Sequence, residues 1–146
     1  NFGLQNGATH TEFIRGKADG KWYFLETSSR VGGAHIPDLV EASSGINIWR
    51  EWAKIEDALL RNKSYEVAKP TGFSAGLIIA LAKELKPDYA EFECEEVVRF
   101  LQIDYHVGIV YKSDKMEMVQ QRLDEAAEKI NDHHLNILPQ KSKPSS

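Results

Sequence analysis

The chain has 146 residues, close to the usual size of one domain, and 42% of them are apolar and 27% charged. This mixture excludes a disordered or fibrous chain, and a net charge of −4 argues against non-specific binding to nucleic acid or anionic membranes. No apolar run reaches the roughly 18 residues of a membrane span. Cys94 is the only cysteine, which excludes an intrachain disulfide and fits a cytoplasmic protein.

The first predicted element is a β-hairpin. Two runs rich in strand-forming residues, 9–14 and 22–26, flank an Asp-Gly turn. If residues 18–20 form a three-residue loop, its glycine takes the left-handed position and Glu12 lies opposite Glu26. A two-residue loop would shift this pairing by one residue.

A polar, glycine-containing loop is predicted next, followed by two helices. Pro37 suits the first turn of a helix over 36–44, and Gly45 ends it. Asn47 can cap a second helix, whose apolar stripe is Ile48, Trp52, Ile55 and Leu59. Trp49 and Trp52 are expected in the core. Residues 63–69 are predicted as a loop or a short strand.

The second half of the chain is rich in strand-forming residues. Residues 73–83 read as a strand, although their Ala and Leu content leaves a helix possible. Residues 97–105 and 106–111 are predicted as further strands, with a turn at 86–88 and a short extended piece at 89–92.

A final helix is predicted to end near Asn131. Asp114 and Glu117 have the spacing of a capping box at its start. The expected buried positions are Met116, Val119, Leu123, Ala127 and Ile130.

Together these elements predict an α+β fold with a largely antiparallel sheet and flanking helices. We expect a division into residues 1–62, with the hairpin and two helices, and 63–138, with the later strands and the closing helix. Residues 139–146 are expected to be a disordered tail. The chain opens without methionine in densely patterned sequence, and we expect it to be cut from a larger protein.

Glu12 and Glu26 are the sharpest chemical feature. Two like charges directly opposite each other are unfavourable unless they are exposed, protonated, bridged by arginine or bound to a cation. If the extended run continues, Ser28 and Arg30 lie on the same side as Glu26. The sequence leaves open a magnesium–phosphate site and a solvated ion-pair network of Glu12, Arg30 and Glu26.

Other candidates are weaker. Gly32 and Gly33 can let the backbone approach a ligand, and the first N–H groups of the following helix could add to an anion site. His10 and His35 are candidate substrate contacts, although a lone histidine is more often structural. Adjacent His133 and His134 are poor joint metal ligands, the acidic run 93–96 reads as solvated, and Cys94 is not expected to be a nucleophile.

Three stretches carry a family resemblance. Residues 7–13, 22–33 and 44–48 resemble the C-terminal half of the ATP-grasp superfamily, whose pattern has the order glutamate, spacer, glutamate-x-asparagine-x-arginine in a glycine and hairpin context. Biotin carboxylase, carbamoyl-phosphate synthetase and the amino-acid ligases share this pattern. The strong match covers about the first third of the chain, and residues 65–131 fit only loosely.

The resemblance implies roles for the site residues. Glu12 and Glu26 are similar to the two carboxylates that hold Mg²⁺ against the ATP phosphates, and Mn²⁺ can substitute. Ser28 stands where the family usually has asparagine, and its hydroxyl can still ligate the metal. Arg30 matches the catalytic arginine that contacts the reacting phosphate or the substrate. Gly32 and Gly33 fall where such ligases bind the acceptor substrate.

The implied activity is an ADP-forming, carboxylate–amine ligation of the amino-acid type. A carboxylate would receive a phosphoryl group from ATP, and an amine would displace phosphate from the acyl phosphate. The superfamily builds its ATP site between two lobes, so this chain alone is expected to be inactive without an N-terminal lobe. The expected partners are that lobe, small carboxylate and amine substrates, and a possible second copy through exposed sheet edges.

Three alternatives stay open. The parent protein could be a biotin-carboxylase-like or carbamoyl-phosphate-synthetase-like enzyme of the same superfamily. It could be a nucleotide-binding module that keeps the hairpin without catalysis, a possibility raised by Ser28. The two glutamates could also be surface charges only.

Overall fold

The polypeptide forms two compact units, Asn1–Gly72 and Phe73–Ser146. The computed structural model describes residue 3 and residues 5–135, so the predicted tail at 139–146 lies outside the described residues. Over 5–135, each helix is too short or too polar to cross a bilayer.

The segment before the boundary folds back on the first unit. The hydroxyl of Tyr65 donates to Oε2 of Glu51 at 2.8 Å, and the N–H of Thr71 donates to the carbonyl of Ser44 at 2.9 Å. Residues 63–72 contain no strand. These contacts explain why 63–72 belongs with the two helices, whereas the sequence suggested grouping it with the later strands.

The first unit begins with the hairpin of β1 (His10–Arg15) and β2 (Trp22–Ser28). The antiparallel ladder places Glu12 opposite Glu26, which confirms the predicted pairing. The register then shifts, because Phe13 pairs with Phe24 and leaves Leu25 as a β-bulge. Because of the bulge, the predicted register holds at the end of the ladder away from the turn.

The hairpin turn is longer than predicted. It spans residues 16–21, closed by the Gly16 N–H donating to the Lys21 carbonyl at 2.8 Å, so the three-residue loop is wrong. Gly20 does take the left-handed conformation, at φ 68°. Asp19 accepts from the Tyr23 hydroxyl at 2.7 Å and from the Lys21 N–H at 3.1 Å, and these bonds lower the pKa of its carboxyl.

The hairpin has one face that carries no candidate site residue. Its cross-strand pairs are Thr11 with Thr27, Phe13 with Phe24, and Arg15 with Trp22. Glu12 lies between Thr11 and Phe13 on β1 and so projects from the opposite face. Glu26 and Ser28 share that face because the bulge at Leu25 interrupts the alternation along β2.

Two helices follow as predicted: α1 (Ile36–Ser44) and α2 (Ile48–Leu60). Gly45 ends α1 at φ 74°, and its N–H donates to the Glu41 carbonyl. Asn47 caps α2 by accepting from the Arg50 N–H at 2.9 Å.

The predicted core face of α2 is only partly correct. Trp49 is 57% exposed and stacks on Trp52 with ring centroids 6.0 Å apart, and Leu59 is 51% exposed. Glu51 is the buried side chain instead, held by Lys54 and Tyr65 at 2.8 Å each. These hydrogen bonds also lower the pKa of the Glu51 carboxyl.

The second unit is built on a three-stranded antiparallel sheet. β3 (Ser74–Leu81) and β4 (Val97–Phe100) flank β5 (His106–Ser113) in the order β3-β5-β4. This confirms the predicted strand in residues 73–83 and excludes the alternative of a helix there. β4 is shorter than predicted because the chain turns after Phe100, with Tyr105 at φ 58°. The predicted extended piece at 89–92 is wrong, since Ala90–Phe92 forms a 3₁₀ turn.

The final helix α3 (Met116–Lys129) packs on β3 and β5. The predicted capping box is wrong, because Lys115 is the N-cap and no side chain caps it. A π-helical turn, Ile130–His134, continues the helix past Asn131.

The core of the second unit lies between this helix and the sheet. Val119 and Ile130 are buried as predicted and Leu123 is partly buried. Met116 is 59% exposed and Ala127 is exposed, so those two predictions are wrong. The buried cluster consists of Ala82, Phe92, Val107, Ile109, Tyr111, Ala126 and Ile130. The observed architecture confirms an α+β fold with antiparallel sheets and flanking helices.

Candidate functional site

The centre of the candidate site is the carboxylate pair on the hairpin. Glu12 and Glu26 are direct partners in the β1–β2 ladder, and His10 and Ser28 are the next pair on the same face. Directly opposed side chains have Cβ atoms about 4.5–5.5 Å apart. Four polar side chains are thereby gathered at the end of the hairpin away from its turn.

His10 is bonded to one of the two carboxylates. Its Nε2 lies 3.0 Å from Oε1 of Glu12, and its side chain is only 17% exposed against 43% for Glu12. The two residues are separated by one position on β1 and so share a face of the strand. His10 was expected as a substrate contact, and the structure places it against Glu12.

The glycine loop lies against this histidine. Gly32 is buried, and a methyl group on it would lie 2.9 Å from Nδ1 of His10 and 3.2 Å from Cγ2 of Ile36. Gly33 is exposed, and a methyl group there would meet nothing within 4 Å. The two glycines therefore differ: Gly32 is required by a close approach and Gly33 faces open space.

The residues after the glycines have unusual backbone conformations. Ala34 and His35 both adopt positive φ, at 48° and 60°. Such conformations of non-glycine residues cost on the order of 1–3 kcal/mol and cluster at functional sites. Nδ1 of His35 lies 2.9 Å from Oδ2 of Asp38, so His35 is tied to α1. The sequence contains no signal that singles out Ala34 or Asp38.

The start of α1 does not provide the expected anion site. The N–H groups of Asp38 and Leu39 donate to the carbonyl of His35, that of Ile36 donates to Gly33, and Pro37 has none. These bonds occupy the N–H groups of Ile36, Asp38 and Leu39, and the nearby Asp38 carboxylate would repel a phosphate. Among the described residues, the N–H of Gly33 has no acceptor within the protein.

Arg30 lies outside the strand. β2 ends at Ser28, so the continuous extended run that would have placed Arg30 beside Glu26 is not formed. Its guanidinium donates to the carbonyl of Val31 at 3.1 Å. Within residues 5–135, Arg30 forms no ion pair with Glu12 or Glu26, so the three-residue ion-pair network is absent from that part of the chain.

The oxygen atoms on the hairpin fit a Mg²⁺ site that is completed by phosphates and water. In the described part of the chain, no group of three or more His, Cys, Asp or Glu side chains is placed to hold a metal. Mg²⁺ is commonly bound through one or two carboxylates together with substrate phosphates and water. Two opposed carboxylates and the Ser28 hydroxyl are therefore a suitable partial set of oxygen ligands.

The remaining candidates of the second unit have structural partners. His133 and His134 both contact Glu91, with His134 Nε2 at 2.9 Å from Oε1. Within the acidic run, Glu96 pairs with Arg122 at 2.9 Å, which lowers the pKa of its carboxyl. Burial raises the pKa of the Cys94 thiol, against a role as nucleophile.

Comparison with known proteins gives an informative likeness among the solved structures. No protein-family model matches the chain, and no curated protein sequence matches it. Among solved structures, the chain is similar to phosphoribosylglycinamide synthetase from Anaerococcus prevotii, an ATP-grasp protein, with a TM-score of 0.54 and 22% identity. The likeness covers 94% of this chain and 38% of that one. It confirms the predicted ATP-grasp type of fold.

Proposed function

We propose that this chain is part of an ATP-dependent, ADP-forming ligase that joins a carboxylate to an amine. In this proposal Glu12, Glu26 and Ser28 hold Mg²⁺, and Arg30 contacts the phosphate or substrate. The rest of the nucleotide site is supplied by polypeptide outside this chain, which spans 38% of its structural neighbour.

The observation that carries the proposal is the position of Glu12 opposite Glu26 within an ATP-grasp fold. Both carboxylates come from adjacent strands of one hairpin, and a cation bound between them would relieve the repulsion of their facing charges. Glu26 has no hydrogen-bond or ion-pair partner among the described residues, so its oxygens are available to a ligand. A hard oxygen ligand set beside a glycine loop suits a metal–phosphate complex.

The chemistry divides between this chain and the bound nucleotide. Mg-ATP, when bound, supplies the phosphoryl group that activates a carboxylate as an acyl phosphate. The hairpin residues neutralise and orient charge, which is the main requirement of phosphoryl transfer. The open space at Gly33 leaves room for the acceptor substrate.

The name of the structural neighbour agrees with the substrate class. Phosphoribosylglycinamide is an amide of glycine, and its synthetase therefore makes a bond between an amino-acid carboxyl group and an amine. We propose the same reaction class here. The screen over amino acids described below identifies the carboxylate substrate.

The test is ADP release by the full natural protein with Mg-ATP and a panel of amino acids as carboxylate and amine donors. Glu26→Gln keeps the size of the side chain and removes its charge. We expect it to lower the rate by at least about 100-fold while the circular dichroism spectrum is unchanged. Glu95→Gln, an exposed change in the second unit, is the matched control and is expected to leave the rate unchanged.

Three results would contradict the proposal. An unchanged rate in Glu26→Gln would remove the metal assignment. ADP release that requires bicarbonate and no amino acid would instead favour a carboxylase or carbamoyl-phosphate type of enzyme. Failure of the full protein to bind Mg-ATP would favour a module without catalysis.

A further inference from the structure

His10 occupies a position between the two parts of the candidate site. Nε2 faces Oε1 of Glu12 at 3.0 Å, and Nδ1 faces Gly32, where a methyl group would come within 2.9 Å of it. The imidazole is thus in contact with Glu12 on one side and with the glycine loop on the other. Its side chain is 17% exposed, so few other orientations are open to it.

The protonation of the ring follows from its partner. An ionised carboxylate only accepts hydrogen bonds, so Nε2 must carry the proton in the contact with Glu12. In the neutral ring Nδ1 is then unprotonated. The remaining oxygen of Glu12, Oε2, has no partner among the residues that the structure describes.

We propose that His10 is a positioning residue for the metal–phosphate site, acting through Glu12. As the Nε2–H tautomer it fixes one oxygen of Glu12 and leaves the other oxygen to the metal. Its contact with Gly32 ties the orientation of that carboxylate to the glycine loop. The inference rests on the proposed function for the metal, while the His10–Glu12 contact is independent of it.

The role differs from the substrate contact suggested by the sequence. A histidine whose Nε2 is bonded to a carboxylate cannot donate the same hydrogen to a substrate. Partners of this kind around metal ligands commonly change metal affinity by about 10- to 100-fold when removed. The close approach at Gly32 excludes a side chain there, whereas the space at Gly33 is open.

Two variants separate the hydrogen bond from the packing. His10→Gln places an amide N–H near the position of Nε2, whereas His10→Leu fills similar space without a donor. The first measurement is the binding of Mn²⁺ to the full natural protein, detected by the effect of the bound ion on water-proton relaxation. We expect His10→Leu to weaken Mn²⁺ binding by about 10- to 100-fold and His10→Gln to retain most of it.

The second measurement needs no metal. Long-range ¹⁵N–¹H spectra of the ring at about pH 8, where an ordinary imidazole is neutral, distinguish the two tautomers. We expect His10 to be the Nε2–H tautomer in the wild type and a mixture in Glu12→Ala.

The outcomes distinguish this inference from the proposed function. An Nδ1–H tautomer in the wild type, or equal loss of Mn²⁺ binding in His10→Gln and His10→Leu with both folded, would overturn the positioning role. Absence of Mn²⁺ binding by the wild type, or binding unaffected by Glu26→Gln, would contradict the proposed metal site. The nitrogen spectra would then still decide whether His10 holds Glu12.

Discussion

Nε2 of His134 donates a 2.9 Å hydrogen bond to Oε1 of Glu91, joining the π-helical turn after α3 to the 3₁₀ turn before β4. His133 contacts the other oxygen of the same carboxylate at 3.1 Å. One glutamate therefore holds two consecutive residues near the end of the described chain. These bonds, His134 first, lower the pKa of Glu91 below its ordinary value of 4.5.

This contact predicts a loss of stability in acid. A carboxyl group whose pKa is lower in the folded than in the unfolded chain stabilises the fold above its unfolded value, and the contribution disappears as pH falls through the folded value. We expect Glu91→Gln to lower the urea midpoint at about pH 6 and to have little effect near pH 3. Glu93→Gln, at the residue that directly follows the same turn, is the control, and an equal pH dependence in both variants would refute the role of Glu91.

A second prediction concerns the packing of α3 on the sheet. A methyl group on Gly76 would lie 2.7 Å from Cγ1 of Val119 and 2.8 Å from Cδ1 of Leu123. Overpacking of this kind costs about 1–3 kcal/mol of the free energy of unfolding, which we expect for Gly76→Ala in urea titrations.

The double variant tests the cause of that loss. Val119→Ala opens space beside Gly76, so the added methyl should cost less in this background than in the wild type. Gly33→Ala, which meets nothing within 4 Å, should change the free energy of unfolding by less than about 0.5 kcal/mol. Strict additivity of Gly76→Ala and Val119→Ala in the free energy of unfolding would show that the added methyl does not contact Val119.

Alanine substitutions at Gly32 and Gly33 are expected to affect the rate differently. Gly32→Ala would drive a methyl group against His10 and Ile36, whereas Gly33→Ala would not touch either. Small displacements of positioning groups can cost about 100-fold in rate. We expect Gly32→Ala to lower ADP release by about 10- to 100-fold and Gly33→Ala by much less, measured at saturating Mg-ATP. Similar rates in the two variants would argue against a close-packed loop at the site.

Ser28 provides a test of the metal ligands. It is the ladder partner of His10, on the face of Glu12 and Glu26, and the ATP-grasp pattern that the sequence resembles has asparagine at this position. Ser28→Ala removes the oxygen ligand and should weaken Mn²⁺ binding severalfold, whereas Ser28→Asn keeps an oxygen and should bind at least as well as the wild type. Equal affinity of Ser28→Ala and the wild type would exclude the hydroxyl as a ligand.

The sequence correctly predicts the strand pairing at the site and the ends of the two helices in the first unit. The assumed three-residue turn places Glu12 opposite Glu26, as observed. Gly45 ends the first helix and Asn47 begins the second because their conformational preferences are local. The six-residue turn is not predictable in the same way, since it depends on Asp19 bonding to Tyr23 across the turn. The bulge at Leu25 compensates for the longer turn and makes the pairing correct for a different reason.

The errors in the second unit have a tertiary cause. The spacing along α3 gave Ala127 as a core residue, but the direction from which β3 and β5 approach the helix buries Ala126 instead. At the site, the separation of His10 and Glu12 by one residue was a signal that both lie on one face of a strand. That signal could have identified their contact, whereas the positive φ of Ala34 depends on the loop around it.

The distribution of aromatic and sulfur side chains between the two units has a practical consequence. All three tryptophans, Trp22, Trp49 and Trp52, lie in the first unit, and Cys94, the only cysteine, lies half-buried in the second. Tryptophan fluorescence therefore follows the opening of the first unit, and the rate of thiol labelling follows the opening of the second. Without any engineered probe, the natural chain can show whether its two halves unfold together or in separate steps.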